Sequence, residues 1–179
     1  MQVYTDGSCY PNDGTGDGGW AYSVMNKGFY YVICGYIPKP ATNNIAELLA
    51  MIAALKDNDY GEIYSDSEYV VKGFNIWMHG WVKKGWKKKK GELKNVTLWK
   101  KLHELRSKFH GKVFWVRGHN GDFMNELADA GANYARITKP KDVVDFEMSM
   151  EEAKEFIEKW AGKDRYIVKK RITEERIGE

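Results

Sequence analysis

Hydrophobic residues in the first 40 positions gather in short runs rich in aromatic and β-branched side chains, and this pattern predicts three strands. The predicted strands cover residues 2–5, 20–25 and 29–37. The link at residues 26–28 is short enough to form a hairpin between the second and third strands. A glycine-rich stretch at residues 12–19 predicts a loop between the first and second strands. The chain therefore begins with an antiparallel sheet.

After Pro40 the spacing of apolar residues takes on a helical period and then alternates between helix and strand. The predicted elements are, in order, a helix at 43–56, a strand at 62–65, a helix from 67, a helix at 96–109, a strand at 112–117 and a helix at 122–136. We therefore expect an α/β fold: a mixed five-stranded sheet, with three antiparallel strands followed by parallel βα units, flanked by helices. In such sheets ligands bind beyond the carboxyl ends of the parallel strands.

Near the C-terminus the pattern changes again. Residues 149–152 have the spacing of a capping box and predict a helix that ends near Trp160. Residues 165–172 fit either a short strand or a frayed tail. We therefore divide the chain into a main domain at residues 1–139 and a helical C-terminal extension at residues 140–179.

Composition places the chain among globular proteins. Of the 179 residues, 43% are hydrophobic, which argues against disorder. No apolar run approaches the ~20 residues of a membrane span, so we expect no membrane association. The two cysteines, Cys9 and Cys34, are too few for a disulfide framework and indicate a reducing compartment, so we expect a cytoplasmic protein.

The net charge of +3 hides a strong asymmetry. Residues 72–100 contain nine lysines and one acid, Glu92, whereas acids outnumber bases in the rest of the chain. A basic segment on an acidic body can bind a polyanion without making the whole surface adhesive.

Four acidic residues lie in short motifs that present them: Asp6, Glu47, Asp66 and Asp129. Asp6 and Asp66 each end a predicted strand, and the other two lie in predicted helices. A buried carboxylate is costly without a partner, and several together form an oxygen-ligand cage for a hard divalent cation. Taken singly, each acid has a simpler interpretation as a turn residue, a helix cap or a solvated helix position. The four together favour a metal-dependent nuclease.

These motifs, in this order, closely resemble a type 1 ribonuclease H over residues 1–137. The resemblance rests on Thr-Asp-Gly-Ser at 5–8, Thr-Asn-Asn at 42–44 followed by Glu47, Ser-Asp-Ser at 65–67, and Gly118-His119 ten residues before Asp129. It implies the ribonuclease H fold and an endonuclease that hydrolyses the RNA strand of RNA–DNA hybrids. It also implies a two-metal-ion reaction with Mg²⁺, for which Mn²⁺ can substitute, leaving 5′-phosphate and 3′-hydroxyl ends.

The resemblance assigns a role to each candidate catalytic residue. Asp6 is expected to bind both metal ions, Asp66 and Asp129 the ion that activates the nucleophile, and Glu47 the ion that stabilises the leaving group. His119 is expected to be a mobile proton carrier, since its ordinary pKa of ~6.5 suits that task near neutral pH.

The resemblance also implies a set of nucleic-acid contacts. Contacts to the RNA strand are expected from Cys9, Asn12, Asn43, Asn44 and Ser67, because side-chain amides and hydroxyls can recognise the 2′-hydroxyl. Contacts to the DNA strand are expected from Thr42, Tyr69, Trp77, Trp81 and Asn95. The segment from Trp77 to Lys94 resembles the family's basic protrusion. There Lys83, Lys84, Lys87 and Lys88 are expected to contact phosphates, and Trp86 among them is also expected to bind the nucleic acid.

Alternatives remain for several of these assignments. Trp77 and Trp81 share a helix face, which also suits core residues, and for Trp77 the two interpretations are balanced. Glu68 stands where relatives often have an uncharged residue, which puts the local RNA contact in doubt. The extension either packs on the body or recruits a replication partner, and we expect a monomer.

Two other functions compete with the hybrid-cleaving enzyme. One is a non-catalytic module that binds RNA–DNA hybrids, and it predicts the loss of at least one metal ligand. The other is a different nuclease on the same fold, such as a junction resolvase or an exonuclease, because one scaffold supports several chemistries. The four acids oppose the first, and the basic segment with Asn43 and Asn44 opposes the second.

Overall fold

The computed structural model describes residues 1–59, 61–88, 91–118 and 120–162. Within these residues a mixed sheet of six strands runs in the order β5-β4-β1-β2-β3-β6. The strands are β1 (Gln2–Tyr10), β2 (Gly16–Asn26), β3 (Phe29–Ala41), β4 (Glu62–Ser65), β5 (Lys112–Trp115) and β6 (Val144–Met148). β1, β4 and β5 are parallel, and β2, β3 and β6 add antiparallel pairs. The predicted α/β architecture is confirmed.

Helices cover both faces of the sheet. They are α1 (Asn43–Asp57), α2 (Glu68–Lys72), a π-helical turn at Gly73–Trp77, α3 (Met78–Lys83), α4 (Val96–Arg106), α5 (Phe123–Thr138) and α6 (Met150–Trp160). The larger core lies between the sheet and α1 to α4, and Leu48, Met51 and Trp99 are fully buried in it. On the opposite face, α5 packs against β1, β2 and β3.

The sheet differs from the prediction in having a sixth strand. β6 pairs antiparallel with β3, from Tyr30 opposite Met148 to Cys34 opposite Val144. The extension is therefore not purely helical, because its first element continues the sheet. α6 then packs against the same side of the molecule as α5, where Phe156 and Ile157 contact a cluster that includes Leu127. The alternative suggested for residues 165–172 lies outside the described residues.

The first strand is longer than predicted, and this changes the position of Asp6. β1 continues to Tyr10 because Asp6 and the residues after it pair with β2. Asp6 is thus inside a strand rather than at its end. The parallel pairing of β1 with β4, however, stops at Thr5 opposite Ser65, so Asp6 and Asp66 are the next residues on neighbouring strands. Among the described residues, no helix combines the length and apolar character that a membrane crossing requires.

Candidate active site at the end of the parallel strands

Three acids from separate parts of the chain meet at the carboxyl end of β4. Carboxylate oxygens of Asp6, Glu47 and Asp66 all lie within 4.8 Å of one another. Asp6 comes from β1, Glu47 from the second turn of α1, and Asp66 from the junction between β4 and α2. Asp6 is buried, with 5% of its surface exposed, and the other two are half-buried.

Gly7 allows α1 to lie against β1 at this point. A Cβ atom at Gly7 would stand 2.4 Å from the backbone nitrogen of Glu47 and 2.8 Å from the Cβ of Ala46. A larger residue would therefore push α1 away from the sheet and separate Glu47 from Asp6. The Gly7 amide also donates to Asp6 Oδ1 at 2.8 Å, which orients that carboxylate.

The cluster is electrostatically unfavourable without a cation. Burial raises the pKa of Asp6 well above its usual range, and the nearby charges of Glu47, Asp66 and Asp129 raise it further. Burial and the charge of Asp66 likewise raise the pKa of Glu47. Glu47 Oε2 is buried without a hydrogen-bond partner among the described residues. A divalent cation would bind this oxygen and remove the repulsion, so the residues present fit a metal site.

Asp129 lies on α5 beside the three clustered acids. All four acids line one cavity of about 350 Å³. Asp129 Oδ2 accepts a hydrogen bond from the backbone N–H of Gly162 at 2.8 Å. The structure therefore brings the four predicted carboxylates to one cavity and adds a contact from the C-terminal extension.

His119 lies outside the described residues. Its neighbour Gly118 is close to Asp66, since a Cβ atom built at Gly118 would be 2.8 Å from Asp66 Oδ2. The segment that leads to His119 therefore passes next to the carboxylate cluster.

The residues predicted to contact RNA divide into two groups. Asn43, Asn44 and Ser67 line the carboxylate cavity, and Asn12 Oδ1 accepts from the backbone N–H of Asn43 at 3.0 Å. Cys9 is 5% exposed and packs in a small apolar cluster, so the structure does not bring its thiol to the surface. Ser67 also has a structural role, because its hydroxyl accepts from the amide of Val70 and caps α2.

Glu68, which put one RNA contact in doubt, is exposed and pairs with Lys72 at 3.3 Å. The ion pair reduces the local negative charge, although exposed pairs of this kind contribute little to stability.

Four of the five residues predicted to contact DNA lie in one connected group: Tyr69, Trp77, Trp81 and Asn95. The hydroxyl of Tyr69 accepts from Asn95 Nδ2 at 3.2 Å and from Trp99 Nε1 at 2.9 Å. The ring of Trp77 is 6.4 Å from that of Tyr69 and 39% of Trp77 is exposed, whereas Trp81 is half-buried against Trp99. Thr42 caps α1 by accepting from the amide of Ile45 at 3.1 Å.

The basic segment continues from this aromatic group. Lys83, Lys84, Lys87 and Lys88 are exposed, and Trp86 is half-buried against His103, at a ring distance of 5.9 Å. A surface depression of about 540 Å³ is lined by Trp86, Lys87 and Lys88 together with residues just before α4. The four lysines are therefore accessible to a polyanion, and Lys87 and Lys88 border the same depression as Trp86.

Four residues that line the cavity had no site role predicted from the sequence: Gly7, Ser8, Asn133 and Gly162. Asn133 is buried and lies four residues after Asp129 on α5, so the helical spacing placed both on one face. Gly162 had no comparable signal, because its position depends on how α6 packs.

Comparisons with known proteins agree with this geometry. The family model described as RNase H matches residues 1–137. Ribonuclease H of Hahella chejuensis is 42% identical to this chain over 138 residues, and the match covers 74% of this chain and 90% of the relative. Ribonuclease H of Dechloromonas aromatica is 44% identical over 143 residues, and the match again covers 74% of this chain and 90% of the relative.

Among solved structures, LC9-RNase H1 superposes on this chain with a TM-score of 0.72 at 28% identity. It is described as a type 1 RNase H with the type 2 active-site motif, and the match covers 81% of this chain and 76% of that one. The structure of LC11-RNase H1 in complex with an RNA/DNA hybrid has the same fold, with a TM-score of 0.58 at 23% identity, covering 77% of this chain and 97% of that one. With its family match over most of its length and its four acids in one cavity, the chain belongs to the RNase H family.

Proposed function

We propose that this chain is an endoribonuclease that hydrolyses the RNA strand of RNA–DNA hybrids, leaving 5′-phosphate and 3′-hydroxyl ends. The observation that carries the proposal is the meeting of Asp6, Glu47 and Asp66 oxygens within 4.8 Å, in a chain of the RNase H family. By itself such a cluster does not stabilise the fold, since like charges at this distance repel one another.

Mg²⁺ is the cation we assign to the site, with Mn²⁺ as a substitute. The donor set consists of carboxylate oxygens, which hard cations of this size prefer, and the buried Glu47 Oε2 supplies an unused ligand atom. When bound, two such ions would activate a water molecule and stabilise the charge on the leaving 3′ oxygen.

Each acid has a proposed place around these ions. Asp6 is the most buried of the three clustered acids, and it would bind both ions. Asp66 and Asp129 would bind on the side of the attacking water, and Glu47 on the side of the leaving group. His119 would carry a proton at this site, which is supported by the closeness of Gly118 to Asp66.

Asn43 and Asn44 are our main candidates for recognition of the RNA strand. Both are exposed at the N-terminus of α1, and both line the cavity that contains the acids. Their amides can donate to and accept from 2′-hydroxyl groups. Asn12 and Ser67 would support these contacts at the edges of the cavity. The burial of Cys9 leaves it a minor role at most.

The DNA strand is proposed to follow the surface formed by Thr42, Asn95 and the aromatic residues. The exposure of Trp77 favours substrate contact over a core role, and Trp81 links it to the buried Trp99. Beyond them Lys83, Lys84, Lys87 and Lys88 would bind phosphates without recognising sequence, with Trp86 as a packing partner.

We keep residues 1–139 as the catalytic domain and residues 140–179 as an extension. The packing of α6 against the body supports a structural role for the extension over recruitment of a replication partner. We further propose that the protein acts as a monomer in the cytoplasm. Both of its cysteines are buried as thiols, which suits a reducing compartment.

A cleavage assay tests the proposed function directly. End-labelled RNA–DNA hybrid, RNA duplex, DNA duplex and single-stranded RNA are incubated with the chain and Mg²⁺, with Asp66→Asn as the inactive control. We expect cleavage of the RNA strand of the hybrid alone, and none by the variant. Hybrid binding without cleavage in Mg²⁺ or Mn²⁺ would replace the enzyme with a binding module, and cleavage of DNA would identify a different nuclease.

A further inference from the structure

The C-terminal end of α6 contacts one of the proposed metal ligands. The backbone N–H of Gly162 donates to Asp129 Oδ2 at 2.8 Å, across 33 positions of sequence. Residues 138–179 lie beyond the part of the chain that the RNase H family model matches. The contact therefore comes from a segment that the family match does not include.

A second hydrogen bond holds the same segment in place. Asn133 Nδ2 donates to the backbone carbonyl of Trp160 at 3.0 Å. That carbonyl belongs to the last turn of α6, where carbonyl groups have no partner within the helix. Asp129 and Asn133 are four residues apart and lie on one face of α5. This face therefore contacts the α6 terminus at both Trp160 and Gly162.

Asn133 also connects this terminus to the strand that carries Asp6. Its Oδ1 accepts from Ser8 Oγ at 2.6 Å, and Ser8 Oγ in turn accepts from Arg136 Nε at 2.9 Å. Ser8 and Asn133 are buried, and Ser8 lies two residues after Asp6 on the same face of β1. A continuous polar network thus joins β1, α5 and the end of α6 beneath the carboxylate cavity.

The position of Gly162 is set by the packing of α6. The Trp160 ring is 5.2 Å from the Tyr134 ring, and Ser149 and Glu152 form a complete capping box at the other end of the helix. Gly162 has φ +64°, in the left-handed region that glycine adopts without strain. The packing and capping of α6 therefore fix the position of the Gly162 amide that donates to Asp129.

We propose that the α6 terminus, residues 160–162, positions Asp129 for metal binding. The Gly162 amide fixes one carboxylate oxygen and leaves the other for the cation, so that Asp129 does not have to be ordered when the metal binds. Hydrogen bonds to metal-binding carboxylates orient them in this way. Gly162 acts only through Asp129, and it is a positioning residue. The proposal rests on the proposed function, because it takes Asp129 as a metal ligand.

Two substitutions in the full-length chain test this role, one that removes the contact and one that keeps it. Gly162→Pro removes the N–H, and because proline fixes φ at ~−65° it also takes residue 162 out of its left-handed conformation, so the contact is lost together with the turn that presents it. Ala161, with φ −64° and ψ 138°, already has a conformation that suits the residue before a proline. Gly162→Asn keeps the N–H, and asparagine tolerates a left-handed φ. A Cβ atom at this position meets nothing within 4 Å, so the asparagine side chain has room.

The first measurement is Mn²⁺ binding by calorimetry, without nucleic acid. We expect Gly162→Pro to bind Mn²⁺ about 10-fold more weakly than Gly162→Asn and the unaltered chain, as is typical when a partner of a metal ligand is lost. The Mg²⁺ concentration for half-maximal cleavage should rise by a similar factor, while KM for the hybrid stays the same. Thermal melting of both variants checks that α6 remains folded.

Other results would overturn the proposal. Equal Mn²⁺ affinity of the two variants would make the contact purely structural, and tighter binding by Gly162→Pro would mean that the amide competes with the metal. Failure of the proposed function would appear differently. The unaltered chain would then bind Mn²⁺ with the expected dependence on Gly162 but would not cleave the hybrid.

Discussion

Trp115 donates its indole N–H to the backbone carbonyl of Asp66 at 3.1 Å. Trp115 ends β5, and Asp66 follows β4, so the hydrogen bond joins the two strands just beyond their last parallel pair, Ser65 opposite Trp115. The backbone of Asp66 is thus fixed by a hydrogen bond from β5 as well as by its own strand, β4. Trp115 is 47% exposed, so this hydrogen bond fixes a surface ring next to the backbone of Asp66.

Replacing Trp115 with phenylalanine should therefore affect Asp66. The substitution removes one neutral hydrogen bond, and we expect the free energy of unfolding in urea to fall by about 1 kcal/mol. We expect kcat on the hybrid to fall by about 10-fold, because the backbone of Asp66, a proposed metal ligand, loses its support. The matched control is Phe114→Leu, which changes the neighbouring residue of β5, whose ring stacks on Tyr64 at 5.4 Å. A loss of stability in Trp115→Phe with unchanged kcat would show that the hydrogen bond only closes the sheet.

The stability of the metal-free protein should depend on pH through Asp6 and Glu47. Both have a pKa raised in the folded state, so folding favours their protonated forms. Their contribution to stability is fully present below the unfolded pKa, ~4, and is lost as pH rises through the higher folded pKa. With EDTA present, unfolding in urea should show a lower free energy at pH 8 than at pH 5.5. Asp6→Asn should remove a large part of that difference, and an unchanged pH dependence would exclude the cluster as its source.

Metal addition should reverse this effect at pH 8. A ligand that binds the folded state alone stabilises it by about 2.7 kcal/mol at 100 times its dissociation constant. We expect Mg²⁺ to raise the unfolding free energy of the unaltered chain by an amount of this order, and much less in Asp6→Asn. Glu104→Gln, an acid on the α4 surface, should respond to Mg²⁺ like the unaltered chain.

The carboxylate site was predictable because local patterns identified each acid. Asp66 follows a short apolar strand, so the strand pattern was enough to place it at the carboxyl end of the sheet. Glu47 lies within a predicted helix, and its place at the site followed from the family resemblance. The residues 6–10 were less clear, since Asp-Gly-Ser is typical of turns. Pairing with β2, with Gly7 opposite Trp20 and Cys9 opposite Gly18, extends the strand through them.

The extension was harder to predict, for two physical reasons. The alternation of apolar and charged residues in β6 is typical of a half-buried strand, but five residues give a weak signal beside charged neighbours. The contact between Gly162 and Asp129 has no local signal, because it exists only after α6 has packed against α5. Contacts between distant segments follow from tertiary packing, which spacing along the chain does not contain.

The exposed lysines of the basic segment should control the salt dependence of hybrid binding. Each phosphate contact contributes roughly 0.7 to 0.9 to the slope of log affinity against log salt concentration, so Lys87→Ala with Lys88→Ala should lower that slope by about 1 to 2. Binding should weaken while kcat at saturating hybrid stays the same, because these residues lie outside the carboxylate cavity. Fluorescence anisotropy with labelled hybrid and Asp66→Asn protein measures the affinity without cleavage. Lys108→Ala with Lys141→Ala, which removes the same charge from exposed positions outside the basic segment, is the control. An equal change of slope in both double variants would mean that net charge, and not a specific phosphate-binding surface, determines the affinity.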